Sequence, residues 1–165
     1  MIVCARAVVV SGDDIDTDVL YPGEFLSISD VSQMTKHLFE GLDPTLRDRL
    51  GGDSALVVGA NFGAGSSREH VPQAMRASGV RFIVGKSFAR IFYRNCINLG
   101  LPALTAPGAA TRARPDSRLR LDLAGGTIEV DGESFPVAPL PPFMTEMFRA
   151  GGLVPWMRAQ LSGGP

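Results

Sequence analysis

Short apolar runs alternate with segments of helical spacing through the first two thirds of the chain. Four of these runs predict buried strands: residues 1–10, 55–58, 80–84 and 101–105. Serine or glycine follows each of the first three runs. Strands that alternate with helices along a chain indicate an α/β fold.

Two helices are predicted in the middle of the chain. Ser66 or Ser67 is expected to cap a helix that ends at Gly79, with Glu69 in its first turn. Ser87 is expected to cap a helix that ends at Gly100. A hydroxyl satisfies free amides at a helix start, and glycine closes a helix end. The second helix is expected to bury an apolar stripe and to expose a polar one. These stripes are Phe88, Ile91, Phe92, Cys96 and Leu99, and Arg90, Arg94 and Asn98.

Shorter helices are predicted before the second strand. Asp30 is the expected cap of a helix that ends near Gly41, and Asp43 is the expected cap of another. Residues 24–30 are predicted to form a loop because they follow a Pro-Gly turn.

The last third of the chain predicts a β-hairpin followed by a helix. Residues 119–123 and 127–130 alternate apolar and polar positions on either side of a glycine turn. A final helix carries Met144, Met147 and Phe148, and residues 162–165 are expected to fray. Together these patterns predict an α/β fold with a mixed central sheet flanked by helices and a late β-hairpin.

The composition is that of a globular protein without a nucleic-acid or membrane partner. The chain has 165 residues, of which 45% are hydrophobic and 20% charged, and its net charge is −1. It has no long basic run, and its first apolar segment is too short to span a bilayer. The length predicts one domain, residues 1–165.

The cysteines and histidines do not form a metal-binding pattern. Cys4 and Cys96 are far apart and too few to hold an iron–sulfur cluster, and only two histidines accompany them. We therefore expect no metal site on this chain. Both thiols are expected to be reduced and buried in the core of a cytoplasmic protein.

The segment from Gly59 to His70 carries the candidate chemistry. Three glycines follow a buried strand and allow the backbone to turn tightly. Five polar residues come next: Ser66, Ser67, Arg68, Glu69 and His70. A helix start beside a guanidinium suits a carboxylate or a phosphate. An ordinary capped helix after a glycine turn is the alternative, but it requires neither Arg68 nor His70.

A second polar segment, Gly12–Asp18, contains four aspartates. It lacks the glycine and the distal glutamate of a calcium-binding loop. Short polar side chains prefer to hydrogen-bond to the backbone, so the segment is either a solvated acidic turn or a loop that carries function.

Two other classes of protein fit the glycine-rich motif poorly. A serine hydrolase would need the G-x-S-x-G pattern around Ser66, and His70 on the same predicted helix is not the usual partner. A dinucleotide-binding loop would need glycine where Arg68 stands.

Three segments together resemble the aconitase swivelling-domain family, which includes the small subunit of 3-isopropylmalate dehydratase. In the order of that family they are Gly12–Asp18, Asn61–His70 and Ser87–Asn95. The resemblance implies a swivelling β/β/α domain and a hydro-lyase that moves a hydroxyl between adjacent carbons of a small dicarboxylate. It also implies a separate large subunit that carries the [4Fe-4S] cluster, so that this chain binds no cofactor and is inactive alone.

The resemblance implies roles for individual residues. Ser66 resembles the base that removes a proton next to a carboxylate, and Ser67 and Arg68 resemble the groups that bind this carboxylate. Asp18 is expected to orient Arg68. The supporting residues are Thr17, Asp18, Gly63, Gly65, Glu69 and His70.

Residues 21–30 match the substrate-recognition loop of that family, and residues 19–29 contain no lysine or arginine. Citrate and homocitrate carry an additional carboxylate that calls for a cation, whereas an isopropyl group calls for an apolar contact. We therefore expect an isopropylmalate substrate, as in leucine biosynthesis, bound by Phe25, Leu26, Ser27 and Ile28.

Three alternatives stay open at this point. The chain could be the small subunit of a homoaconitase, the small subunit of a dimethylmalate dehydratase, or a non-catalytic assembly module. The sequence also leaves open whether isolated small subunits self-associate.

Overall fold

The computed structural model describes residues 1–163, and in this part of the chain seven strands form one mixed sheet. The strands are β1 (Ile2–Val9), β2 (Ser54–Val58), β3 (Val80–Gly85), β4 (Ala103–Thr105), β5 (Arg118–Asp122), β6 (Thr127–Val130) and β7 (Glu133–Pro136). Their order across the sheet is β4-β3-β2-β1-β5-β6-β7. The strands β1 to β4 pair in parallel, whereas β5 pairs antiparallel with β1, β6 with β5, and β7 with β6.

The strands are connected by α-helices and short 3-10 helices. The α-helices are α1 (Thr17–Leu20), α2 (Val31–Met34), α3 (His70–Ala77), α4 (Arg90–Asn98), α5 (Pro107–Arg112), α6 (Pro142–Ala150) and α7 (Leu153–Ser162). The 3-10 helices are Gly23–Phe25, Thr35–His37 and Pro44–Arg49. The α7 helix includes the first residue predicted to fray, and residues 164 and 165 lie outside the described part.

The central strand β2 is covered on both faces of the sheet. All five residues of β2 are buried; Leu56 and Val58 belong to one core cluster, whereas Ala55 and Val57 belong to the other. The first cluster packs against α2 and α3, and the second against α5 and α6. Central parallel strands covered on both faces have continuous apolar sequences, which explains the run at residues 55–58.

The predicted α/β fold is confirmed, together with its mixed sheet and the β5–β6 hairpin. The caps at Asp30 and Asp43 are confirmed as well. Each carboxylate accepts a hydrogen bond from the backbone amide two residues further on, at 2.9 and 3.0 Å. Hydrogen bonds from the hydroxyl and amide of Ser32 hold the pKa of Asp30 below its ordinary value, and Thr45 does the same for Asp43.

The helix predicted from Asp30 to Gly41 is shorter than expected. The α2 helix ends at Met34, and a 3-10 helix follows to His37. Phe39 then takes a φ of 64°, which is incompatible with a right-handed helix. The predicted loop at residues 24–30 likewise contains one 3-10 turn at its start.

The start predicted for α4 is wrong. This helix begins at Arg90, and Ser87 does not cap it. The Ser87 hydroxyl instead accepts a hydrogen bond from the amide of Asn61 at 2.8 Å, and its carbonyl accepts one from the amide of Phe62 at 3.2 Å. Ser87 therefore joins the glycine-rich segment to β3.

Two residues predicted to lie in the core are exposed. Cys4 is exposed on β1, and Ile91 is 46% exposed on α4. Cys96 is buried as predicted, and this burial raises the pKa of its thiol.

Four elements were not predicted: α1, α5, β7 and α7. The α1 helix is a single turn within the aspartate-rich segment, and α5 begins Pro107–Gly108, a pair that also suits a turn. None of the helices within residues 1–163 is long and apolar enough to cross a membrane.

Candidate active site

Three loops meet where β1, β2 and β3 end. The amide of Gly63, after β2, donates a hydrogen bond to the carbonyl of Ile15, after β1, at 2.9 Å. The amide of Ala89, after β3, donates to the carbonyl of Phe62 at 2.9 Å. The carboxyl ends of parallel strands form the edge at which α/β proteins place their ligands. The fold thus brings together the three segments that sequence analysis singled out.

Ser66 and Ser67 lie in the loop before α3 and do not cap it. The α3 helix begins at His70. The carbonyl of Ser66 accepts hydrogen bonds from the amide of Arg68 at 2.9 Å and from the hydroxyl of Thr17 at 3.0 Å. A helix that started at Ser66 would offer this oxygen to the amide four residues on. The predicted cap is therefore wrong because contacts with the Thr17 segment compete with it.

Glu69 is also placed differently from the prediction. It occupies the cap position of α3 instead of the first turn, and its side chain makes no capping hydrogen bond. Glu69 and Ser67 are both exposed.

The hydroxyl of Ser66 lies beside an ion pair. Its Oγ donates a hydrogen bond to Oδ1 of Asp18 at 3.4 Å, and Nη2 of Arg68 contacts the same oxygen at 2.8 Å. Ser66 and Asp18 are exposed, whereas the Arg68 side chain is 14% exposed. A hydroxyl and a guanidinium thus meet at one carboxylate oxygen on the protein surface.

The guanidinium of Arg68 is held at two nitrogens. Nη2 contacts Asp18, and Nη1 donates a hydrogen bond to the carbonyl of Tyr21 at 2.9 Å. Contacts at different nitrogens fix the plane of a guanidinium, which an ammonium group could not reproduce.

The segment around α1 supports the loop that carries Ser66 and Ser67. The amide of Thr17 donates a hydrogen bond to the carbonyl of Ala64 at 2.8 Å, and its side chain holds Ser66. Gly65 has a φ of +93°, and a Cβ added there would lie 2.7 Å from Oδ2 of Asp16. Glycine is therefore required for this close approach.

Replacing Gly63 with alanine is expected to destabilise the protein by about 3 kcal/mol. Gly63 has a φ of +84°, and an added Cβ would overlap the ring of the buried Phe92. Gly126 provides the matched control, because it has a φ of +66° and nothing within 4 Å of an added Cβ. Gly126→Ala should cost about 1 kcal/mol, the cost of the left-handed backbone alone. Thermal unfolding of both variants measures the difference, and equal losses would contradict this account of Gly63.

Residues 25–28, predicted to contact the substituent of the substrate and called the specificity segment below, have two inward and two outward side chains. Phe25 and Ile28 pack against the first core cluster. Leu26 is 37% exposed, and Ser27 is exposed. The four predicted contact residues therefore fall into an anchoring pair and an accessible pair.

Sequence analysis did not single out Tyr21, which lies under the site. Its side chain is fully buried, and its ring stacks on His70 with a centroid distance of 5.2 Å. Nε2 of His70 lies 3.2 Å from the carbonyl of Ile28. The sequence gives little signal for this role, because an aromatic residue before Pro-Gly resembles an ordinary turn.

The residues that the structure describes do not fit an iron–sulfur cluster. Residues 1–163 contain no group of three or more His, Cys, Asp or Glu side chains that could hold a metal ion. The two cysteines lie apart, Cys4 exposed on β1 and Cys96 buried on α4.

Residues 47–108 match the family model of the aconitase C-terminal domain. This range contains β2, the loop with Ser66 and Ser67, α3, β3 and α4, whereas Thr17 and Asp18 of the site lie before it. The fold and the site thus define a domain of the aconitase type.

Similar proteins identify the branch of that family. The chain is 46% identical over 148 residues to the 3-isopropylmalate dehydratase small subunit of Moorella thermoacetica, which covers 88% of this chain and 89% of that protein. It is 45% identical over 147 residues to 3-isopropylmalate dehydratase small subunit 1 of Methanopyrus kandleri; the match covers 88% of this chain and 86% of that protein. The crystal structure of 3-isopropylmalate dehydratase from Methanocaldococcus jannaschii matches with a TM-score of 0.90 at 32% identity, and the match covers 98% of this chain and 96% of that one. The chain belongs to the family of 3-isopropylmalate dehydratase small subunits.

Proposed function

We propose that this chain is the small subunit of a heteromeric hydro-lyase that interconverts 2-isopropylmalate and 3-isopropylmalate in leucine biosynthesis. The chain acts as a single domain in the cytoplasm, with a large subunit that carries a [4Fe-4S] cluster as its partner. It supplies a serine base and a carboxylate-binding arginine.

One observation carries this proposal beyond family membership. Ser66, Asp18 and Arg68 gather on an exposed surface. Dehydration and rehydration require a site from which bulk water is excluded. An open surface of this kind is half of such a site, and a second polypeptide closes it.

Arg68 and Ser67 bind a carboxylate of the substrate. The guanidinium offers paired donors to the two carboxylate oxygens, and its contacts with Asp18 and Tyr21 fix its orientation before the substrate arrives. Preorganisation of this kind avoids the cost of ordering a long side chain during binding.

Ser66 removes the proton from the carbon next to that carboxylate. A serine acts as a base only as an alkoxide, and the nearby carboxylate of Asp18 opposes this anion. Arg68 offsets the effect because it pairs with the same oxygen of Asp18. When bound to the large subunit, the cluster supplies a Lewis acid for the departing hydroxyl.

Leu26 and Ser27 receive the substituent that distinguishes one substrate from another. Both are exposed in a segment without lysine or arginine. An apolar branch fits there better than the additional carboxylate of citrate or homocitrate, which would be left without a counter-charge.

Reconstitution with the large subunit under anaerobic conditions tests the proposal. The mixture is assayed on 2-isopropylmalate, citrate, homocitrate and dimethylmalate, with each subunit alone as the control. We expect turnover only in the mixture, with the highest kcat/KM on isopropylmalate. Preferred turnover of citrate or homocitrate would contradict the substrate assignment.

A further inference from the structure

The hydroxyl of Tyr21 holds one end of the specificity segment. It donates a hydrogen bond to the carbonyl of Phe25 at 2.8 Å, and this carbonyl also accepts one from the amide of Ile28 at 3.1 Å. Because Tyr21 is fully buried, its hydroxyl cannot hydrogen-bond to water if this carbonyl partner is lost. Burial also raises the pKa of Tyr21, so the hydroxyl stays protonated as a donor.

His70 holds the other end of the segment. Its Nε2 meets the carbonyl of Ile28 at 3.2 Å, and its ring stacks on that of Tyr21 at an interplanar angle of 27°. The two stacked rings thus contact the carbonyls of residues 25 and 28, and the exposed Leu26 and Ser27 lie between these anchors.

Tyr21 also contacts Arg68, the residue proposed to bind the carboxylate. Its backbone carbonyl accepts the hydrogen bond from Nη1 of Arg68 at 2.9 Å, so backbone and side chain of one residue contact two parts of the site. His70 begins α3, two residues after Arg68. The stacked pair therefore links the carboxylate-binding group to the specificity segment through short, directional contacts.

We infer that Tyr21 is a positioning residue for substrate selection. Together with His70 it fixes the specificity segment relative to Arg68, so that the substituent and the carboxylate of one substrate are bound at a set separation. This inference rests on the proposed function. It predicts that loosening the pair weakens binding of the isopropyl substituent more than it slows the chemistry.

Tyr21→Phe tests the inference, because it removes the hydroxyl and keeps the stacked ring. The matched control is Tyr93→Phe, which removes a hydroxyl 3.9 Å from Sδ of Met144, away from the segment. In the isolated chain we expect Tyr21→Phe to speed amide hydrogen exchange within residues 23–28 about fivefold, as loss of one hydrogen bond implies. Tyr93→Phe should leave that exchange unchanged.

The reconstituted enzyme provides the second readout. Tyr21→Phe should raise KM for 2-isopropylmalate about fivefold, leave kcat within twofold of wild type, and reduce the preference for isopropylmalate over dimethylmalate. His70→Phe keeps a ring for stacking and removes the contact with Ile28, so it should change the same quantities in the same direction.

The outcomes separate this inference from the proposed function. Wild-type exchange rates in Tyr21→Phe would overturn it, and so would faster exchange with unchanged KM and substrate preference. A loss of kcat without a change in KM would place Tyr21 in the chemistry and also overturn it. An inactive wild-type mixture would refute the proposed function, and hydrogen exchange would still decide whether Tyr21 holds the segment.

Discussion

Replacing Ser66 with alanine is expected to lower kcat of the reconstituted enzyme by about a thousandfold, the range for loss of a general base. The hydroxyl is exposed beside Asp18 and Arg68, and its removal leaves the backbone contacts of residue 66 intact. Folding and assembly should therefore be unaffected. The measurement is steady-state turnover, with gel filtration to show that the complex forms.

Ser134→Ala on the edge strand β7 is the matched control, since Ser134 is also exposed and lies outside the site. Its turnover should equal that of wild type. Unchanged turnover in Ser66→Ala would end the catalytic assignment and favour a non-catalytic assembly module.

Replacing Arg68 with lysine is expected to lower kcat/KM by about a hundredfold, mainly through KM. Lysine keeps the positive charge but cannot contact Asp18, Tyr21 and both oxygens of a carboxylate at once. The loss thus measures the geometry of the guanidinium and not its charge. Steady-state kinetics over a range of isopropylmalate concentrations separates KM from kcat.

Arg81→Lys provides the control for this second variant, because Arg81 is exposed on β3. We expect wild-type kinetics from it. If Arg68→Lys retained kcat/KM within twofold of wild type, a general electrostatic role would replace carboxylate binding.

The central strands could be predicted because strands buried on both faces have consecutive apolar residues. Ala55, Leu56, Val57 and Val58 are apolar since both faces of β2 are covered, and the run is visible without knowledge of the neighbours. The site motifs were visible for a related reason: glycines and clustered polar residues at the ends of such runs have few structural explanations.

Residues whose contacts are distant in sequence were predicted less well. Ser66 has the chemistry of a helix cap, but its carbonyl is engaged by Thr17, 49 positions earlier. Tyr21 depends in the same way on His70 and Arg68, which follow it by more than forty residues. Local propensity cannot anticipate contacts that the assembled sheet creates.

Two errors could have been avoided with the sequence alone. Cys4 and Arg6 are two positions apart on β1, so their side chains lie on the same face, and an arginine indicates that this face is exposed. Ile91 precedes Arg94 by three positions and Asn98 by seven, so helical spacing places it on the polar stripe. Both residues were predicted to be buried because they are apolar, although the spacing of their polar neighbours indicates an exposed position.

The central claim is that Ser66 and Arg68 complete a site that another polypeptide brings. A structure of the assembled enzyme with a bound substrate analogue tests this claim most directly. We predict that Oγ of Ser66 lies about 3 Å from the carbon whose proton is removed, within reach for proton transfer, with Arg68 on the adjacent carboxylate. Ser66 and Arg68 facing bulk solvent, away from the ligand, would contradict the account.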